Sequence, residues 1–190
     1  MSVYNIVFSP TGGTRKAADL FTGAYCPEHT CVDLTDYDTD FSAISFDEKD
    51  ICIISVPSYG GRVPAIALSR LCKMKGNGAS AILIVVYGNR AYDDTFAELQ
   101  DTVTASGFSC IAAVAAVAEH SIMRQFAAGR PDAQDEKELA DFARTVRSRM
   151  ESGSLSACLN LPGNRPYREY GGVPMKPQTG KACTGCGLCA

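Results

Sequence analysis

The chain has 190 residues, of which 46% are hydrophobic, and a formal net charge of −3; this is enough apolar material for one domain with a buried core. All but one of the 21 acidic residues precede position 162, and an acidic body argues against nucleic acid as a partner. No apolar run approaches the roughly 20 residues that cross a bilayer, and the N-terminus lacks the basic and apolar regions of a secretory signal, so we expect a soluble cytoplasmic protein with no membrane partner.

Short apolar runs alternate along the chain with segments of helical periodicity. Strands are predicted at residues 3–8, 30–34, 51–56, 81–87 and 111–118, because near-continuous apolarity is typical of strands that are buried on both faces. The last run is so rich in alanine that a helix also fits it. Helices are predicted at about 14–25, 63–75, 93–106 and 132–152. This alternation predicts an α/β fold, a doubly wound five-stranded parallel sheet with helices on both faces.

The helix predicted at 132–152 has the clearest pattern. Asp132 can cap its start. The face that we expect to be buried carries Leu139, Phe142, Ala143, Val146 and Met150. From about residue 152 to residue 180 the sequence is rich in proline and glycine and shows little periodicity, which indicates an irregular connector.

The loop after the first predicted strand has the composition of a phosphate-binding loop. It reads Ser9-Pro10-Thr11-Gly12-Gly13-Thr14 and precedes a predicted helix. Glycines let backbone N–H groups converge, hydroxyls can donate hydrogen bonds, and a helix N-terminus carries a partial positive charge. The loop lacks the Gly-Lys-Ser/Thr of a Walker A motif, which disfavours a nucleoside triphosphate. A glycine turn capped by Thr14 is the simpler alternative.

Two further loops follow the third and fourth predicted strands, where ligands of doubly wound sheets bind. One reads Pro57-Ser58-Tyr59-Gly60-Gly61-Arg62-Val63-Pro64, and the other reads Gly88-Asn89-Arg90-Ala91-Tyr92-Asp93-Asp94. Each loop supplies one tyrosine, a flat surface on which a ring can stack. His120 follows the fifth predicted strand and could assist proton transfer, although a loop histidine with local hydrogen bonds is the simpler interpretation.

The nine cysteines fall into two groups. Six are scattered without regular spacing, as reduced cysteines of a cytoplasmic protein usually are. The other three, Cys183, Cys186 and Cys189, form a CxxCxxC that matches the start of the bacterial ferredoxin run C-x2-C-x2-C-x3-C-P. The sequence stops before a fourth cysteine, so we expect a ferredoxin module that is cut short and a 4Fe–4S cluster only in a longer chain. A three-cysteine zinc site competes, although no nearby histidine completes it.

The three loops and the cysteine cluster together resemble flavodoxin–ferredoxin fusion proteins. The first loop is similar to the S/T-x-T-G-x-T phosphate loop of flavodoxins, and the other two resemble the loops that flank the isoalloxazine ring. Because the chain has no tryptophan, Tyr59 or Tyr92 would replace the tryptophan that flavodoxins often place against the flavin. The resemblance implies an FMN site made of Ser9, Thr11, Gly12, Gly13, Thr14, Pro57, Ser58, Tyr59, Gly60, Gly61, Gly88, Asn89, Arg90, Tyr92 and Asp93.

The resemblance also implies a domain plan and a function. Residues 1–152 would form a flavodoxin-like FMN-binding domain, residues 153–182 a linker, and residues 183–190 the start of an incomplete 4Fe–4S ferredoxin module. Non-covalently bound FMN would transfer electrons to 4Fe–4S clusters in the full-length chain or to separate redox partner proteins. The alternatives are an NAD(P)H-dependent FMN reductase that acts on a quinone or small acceptor, and an interaction module without flavin.

Overall fold

The computed structural model of the chain describes residues 1–155, 159–172 and 178–186. Its elements in chain order are β1 (Val3–Val7), α1 (Gly13–Tyr25), β2 (Thr30–Asp33), β3 (Ile51–Pro57), α2 (Ala65–Leu71), β4 (Ser80–Tyr87), α3 (Thr95–Ala105), β5 (Ser109–Val117) and α4 (Ala133–Glu151). The predicted strands and helices are all present, and the alanine-rich run forms a strand. In the described ranges, no helix is both long and apolar enough to span a membrane.

The five strands form one parallel sheet in the order β2-β1-β3-β4-β5. From β1 the chain passes to one neighbour, β2, and then returns to the other side to form β3, β4 and β5. The loops after β1 and β3 therefore diverge, which opens a crevice at the carboxyl ends of the strands. The predicted doubly wound sheet is confirmed.

The sheet has an apolar layer on each face. Ile54 and Leu83 face one layer, whereas their neighbours Ile53 and Ile82 face the other, and all four are fully buried. This follows from the period of two in a strand, and it explains why the strand sequences are apolar without alternation. Side chains of α2 and α3 complete the first layer, and side chains of α1 and α4 complete the second.

Two helices differ in detail from their predictions. Asp132 caps α4 as predicted, by accepting hydrogen bonds from the backbone N–H groups of Gln134 (2.9 Å) and Asp135 (3.1 Å). The prediction that Phe142 is buried was wrong, because this side chain is 47% exposed; at about 100° per residue it lies at the border of the buried stripe. Helix α2 is shorter than predicted and begins after Pro64, which is its N-cap residue.

The irregular segment 159–172, which we call the C-terminal strap, is held against the domain. It forms no helix or strand, as predicted for the connector. Leu159 and Leu161 nevertheless pack on the apolar layer beside α3. Arg165 forms a bidentate ion pair with Asp101 of α3, at 2.7 and 2.6 Å. Part of the segment predicted to be a linker is therefore in contact with the domain along α3.

Candidate binding site at the carboxyl ends of the strands

A cleft of about 440 Å³ opens beyond the carboxyl ends of β1, β3, β4 and β5, and its volume is within the range of small-molecule sites. It is lined by the loops after these strands and by one residue of the strap. The predicted site residues that line it are Thr11, Gly13, Thr14, Pro57, Ser58, Tyr59, Gly60 and Gly88. Its other lining residues are Pro10, Val86, Tyr87, Ala118, Glu119, His120, Ser121, Ile122 and Tyr170.

A second and larger depression, of about 880 Å³, lies at the opposite edge of the sheet. Gly107, Phe108 and Ser109, at the amino end of β5, contribute to its lining together with side chains of α3. Neither the glycine-rich loop nor the loops after β3 and β4 reach it. Because ligands of doubly wound sheets bind at the carboxyl ends of the strands, the smaller cleft is the candidate site.

One end of the cleft is formed by the N-terminus of α1. The N-cap residue of this helix is Gly12, with a left-handed φ of +87°, a conformation that glycine adopts without strain. The structure therefore does not have the turn capped by Thr14. Ser9 Oγ accepts a hydrogen bond from the backbone N–H of Arg15 (2.9 Å), while Thr11, Gly13 and the nearly buried Thr14 line the cleft. The first N–H groups of a helix lack helical acceptors, so this end of the cleft suits an anion.

The two cations that follow the loop are engaged elsewhere. Arg15 forms an ion pair with Asp33 at the end of β2, at 2.9 Å. Lys16 donates a hydrogen bond from Nζ to the carbonyl of Pro131, at 2.6 Å. The positive character of this end of the cleft therefore comes from the helix terminus and its N–H groups.

The loop after β3 makes a tight turn beside the cleft. The backbones of Tyr59 and Arg62 exchange two hydrogen bonds, at 2.9 and 3.1 Å, and the two residues between them, Gly60 and Gly61, have φ of +59° and +80°. Two consecutive positive φ values are typical of a type I′ turn. The turn places Tyr59 in the lining of the cleft, and burial, with a smaller effect of Tyr170, raises the pKa of the Tyr59 hydroxyl.

Gly61 lies against the loop after β4 and does not line the cleft. Its carbonyl accepts a hydrogen bond from the backbone N–H of Asp94 at 3.0 Å. A Cβ atom at this position would lie 2.4 Å from the carboxylate of Asp93. Gly61 is therefore required for the close approach of the two loops.

The loop after β4 places only Gly88, of its five predicted site residues, in the described lining of the cleft. The ring of Tyr92 packs edge-on between Tyr87 (5.3 Å between centroids) and Phe96 (5.2 Å). Arg90 is solvent-exposed and forms a long ion pair with Asp93 (3.7 Å). Seven predicted site residues are therefore not in the described lining of the cleft. They are Ser9, Gly12, Gly61, Asn89, Arg90, Tyr92 and Asp93.

His120 lines the cleft with a defined orientation. Its Nδ1 accepts hydrogen bonds from the backbone N–H groups of Ile122 (3.2 Å) and Met123 (3.1 Å), so the neutral ring carries its proton on Nε2. The neighbouring Glu119 accepts hydrogen bonds from Gly129 (2.8 Å) and Arg124 (2.5 Å), which hold its pKa below the usual range. The predicted local hydrogen bonds are confirmed for His120, and they leave Nε2 as the available donor.

Sequence reasoning missed Tyr170, the residue that the strap contributes to the lining of the cleft. Its ring lies on the turn after β3, where a Cβ atom at Gly60 would be 2.3 Å from Cδ2 and Cε2 of Tyr170. No local signal marks this residue, because 110 positions separate it from the glycine that it contacts.

The predicted cysteine cluster is described only in part. Cys183 and Cys186 are exposed, and Cys189 lies outside the described residues. Among the residues that the structure describes, no three His, Cys, Asp or Glu side chains are grouped so that they could hold a metal ion. The three-cysteine cluster therefore stays a prediction.

The fold is similar to those of solved flavodoxin and azoreductase structures. A flavodoxin of Streptococcus pneumoniae TIGR4 has a TM-score of 0.55 and 19% identity, with 78% of this chain and 99% of that chain covered. Flavodoxin 1 from Bacillus cereus has a TM-score of 0.54 and 14% identity over 78% and 98% of the two chains. An azoreductase from Bacillus anthracis has a TM-score of 0.52 and 12% identity over 76% and 100%. No family model and no curated protein matches the sequence. The chain has a flavodoxin-like α/β fold.

Proposed function

We propose that the chain binds FMN in the cleft and uses it to transfer electrons. The observation that carries the proposal is the construction of the cleft, whose lining combines the N-terminus of α1 with aromatic and apolar side chains. It lies at the β1/β3 switch point of a 2-1-3-4-5 sheet, where flavodoxin-like sheets hold FMN. When bound, FMN supplies one-electron and two-electron redox chemistry. The residues of the chain bind it and orient it.

The α1 end of the cleft fits a phosphate monoester. Gly12 lets the chain enter the helix with a positive φ, and Thr11 and Thr14, on either side of it in the sequence, line the cleft. Because Arg15 and Lys16 are committed to other partners, the donors for the phosphate would be N–H groups and hydroxyls. A helix terminus of this kind is sufficient to bind a phosphate.

The apolar and aromatic part of the lining fits a flat aromatic ring. Pro57, Val86 and Ile122 supply apolar surface, and Tyr59 supplies an aromatic one. The hydroxyl of Tyr59 can donate a hydrogen bond. The Nε2–H of His120 adds a second donor. Such a mixture of apolar walls and a few donors is typical of sites that bind and orient a cofactor.

The test separates the phosphate from the ring by titrating the protein with FMN and with riboflavin. We expect Thr14→Ala to weaken FMN about tenfold or more, because a hydrogen bond to a charged group contributes roughly 1.5–3 kcal/mol. Riboflavin lacks the phosphate, so its affinity should not change. Thr145→Ala is the matched control, because this exposed hydroxyl donates within α4 to the carbonyl of Asp141. Equal affinities of Thr14→Ala and the unsubstituted chain for FMN would contradict the phosphate assignment.

We further propose a domain plan in which residues 1–152 form a flavodoxin-like FMN-binding domain, residues 153–182 form a linker whose docked strap adds Tyr170 to the cleft, and residues 183–190 begin a 4Fe–4S module that exchanges electrons with the flavin. The position of the strap supports this plan, because Tyr170 lies at the cleft and the sequence reaches Cys183 only 13 residues later. Iron and sulfide should give no stoichiometric 4Fe–4S cluster with the 190-residue chain, whereas a longer chain with the remaining cysteines should gain one. A stable cluster in the short chain would contradict the plan.

An NAD(P)H-dependent FMN reductase is the second candidate, and His120 is the observation that favours it. A hydrogen-bond donor at the wall of the cleft can stabilise the charge that develops on an oxygen of a quinone or another small acceptor as it is reduced. The enzyme should turn over steadily with NAD(P)H and a quinone without a protein partner, and His120→Asn should slow this turnover. An electron carrier should show neither property.

A further inference from the structure

We propose that Tyr170 is the second aromatic residue of the ring site and that the C-terminal strap exists in part to place it there. The inference rests on the proposed binding of FMN. It gives to Tyr170 the stacking role that the loop after β4 was predicted to supply through Tyr92.

The position of Tyr170 is the first reason. Its ring contacts the backbone of Gly60 in the turn after β3, beside Tyr59, and it forms part of the wall of the cleft. The side chain is nevertheless 45% exposed. An aromatic ring that is packed on a glycine and keeps nearly half of its surface exposed can accept a second flat ring by stacking.

The position of Tyr92 is the second reason. Its ring makes edge-on contacts with both Tyr87 and Phe96 and belongs to the partly buried side chains that pack on the core. Tyr92 is not among the residues that line the cleft, whereas Tyr170 is.

The anchors of the strap are the third reason, because they fix the chain immediately before Tyr170. The carboxylate of Asp94, which is 1% exposed, accepts hydrogen bonds from the backbone N–H of Asn164 (2.7 Å), from its side-chain amide (3.0 Å) and from the backbone N–H of Arg168 (2.7 Å). Arg62 donates to the carbonyl of Arg168 at 2.6 Å. Both backbone groups of Arg168 are therefore bound two residues before the tyrosine.

Arg62 links the strap directly to the turn of the cleft. Its backbone closes the turn with Tyr59, and its guanidinium pairs with the buried carboxylate of Glu98. The same guanidinium lies over the ring of Tyr167, 4.9 Å from the centroid, in the geometry of a cation–π contact. A strap that merely ran to the next module would not need anchors on the turn that lines the cleft.

The test compares the affinities of Tyr170 variants for FMN and for riboflavin. Tyr170→Ala should weaken both flavins by the same factor, about three- to tenfold, because stacking involves the ring that they share. Tyr170→Phe keeps the ring and should bind both flavins as the unsubstituted chain does. Tyr37→Ala removes a tyrosine that is 85% exposed and does not line the cleft, and serves as the control. Circular dichroism verifies that each variant is folded.

The outcomes separate this inference from the proposed function. If Tyr170→Ala binds both flavins unchanged or more tightly, or loses affinity for FMN alone, the assignment of Tyr170 is overturned, while the phosphate site tested by Thr14→Ala stands. If the unsubstituted chain binds neither flavin, the proposed function itself fails, and the inference with it. Equal losses for both flavins, restored in Tyr170→Phe, support the inference.

Discussion

Replacing Asp94 with asparagine should release the strap from α3. Asp94 is the N-cap residue of α3. The hydrogen bonds that its carboxylate accepts in the described structure come from the strap. Oδ1 accepts from both nitrogens of Asn164, and Oδ2 accepts from the backbone N–H of Arg168. An asparagine keeps one acceptor and places an N–H group where the other acceptor was, so that it opposes the N–H of Arg168.

The magnitude follows from these three hydrogen bonds. Losing a bond to a charged acceptor costs about 1.5–3 kcal/mol, and each bond that becomes neutral is weakened by about 1 kcal/mol, so the docked strap loses about 4 kcal/mol. That value corresponds to roughly three decades in the opening equilibrium. The ion pair of Arg165 with Asp101 and the contacts of Arg62 with the strap are the same in both proteins and do not change this ratio, so a tenfold increase in opening is the minimum that we expect.

Limited trypsin digestion measures this opening, because Arg168 is a cleavage site whose N–H and carbonyl are both bound in the docked strap. When opening is fast, the cleavage rate follows the population of the open state. Asp94→Asn should therefore be cut after Arg168 at least ten times faster. The control is Asp141→Asn, which removes an exposed ion pair of α4. Equal rates of cleavage for Asp94→Asn and the unsubstituted chain would refute the assigned role of this carboxylate.

Three further predictions concern stability and pH. Gly61→Ala should lower the free energy of unfolding, measured by chemical denaturation, by at least about 2 kcal/mol, because φ is +80° and a Cβ atom would lie 2.4 Å from the loop after β4. The control is Gly153→Ala, where φ is +66° but the space is open, and it should lower the free energy of unfolding by only about 1 kcal/mol. Leu83→Ala should cost about 2–5 kcal/mol in the same assay, because this leucine is fully buried in the sheet. Hydrogen bonds from the strap lower the pKa of Asp94, and the ion pair with Arg165 lowers the pKa of Asp101. Both ionised carboxylates therefore stabilise the docked strap at pH values above the ordinary aspartate pKa of about 4. As the pH falls below that value, the protection of the strap amides from hydrogen exchange should fall.

The sheet could be predicted from the sequence because its signals are local. Each central strand is a short apolar run, and parallel strands that are buried on both faces are apolar at every position. Even β5, which is rich in alanine, is a strand because β4 pairs with it along its length. Phe142 was predicted wrongly because it lies at the border of the stripe of α4, where a small rotation decides between burial and exposure.

The cleft could be located for a similar reason. A doubly wound sheet brings the carboxyl ends of its strands to one edge, so the loops after β1 and β3 were expected to meet there, and both line the cleft. The place of each side chain within a loop is set by packing that composition does not encode. Tyr59 faces the cleft and Tyr92 packs on Phe96, although each is the one tyrosine of its loop.

The strap extends the contacts of the domain beyond the boundary that composition predicts. Composition places a boundary near residue 152, where helical periodicity ends, and α4 does end at Glu151. The chain nevertheless continues to make contacts that a flexible linker would lack, from Leu159 on the apolar layer to Tyr170 on the turn of the cleft. A contact between residues that are about 110 positions apart costs loop-closure entropy when the chain folds. Here the bonds of Asp94 and Arg62 to the intervening strap help to offset that cost. If FMN binds as proposed, a fragment that ends at residue 152 would keep the phosphate end of the site and lose one wall of the ring end.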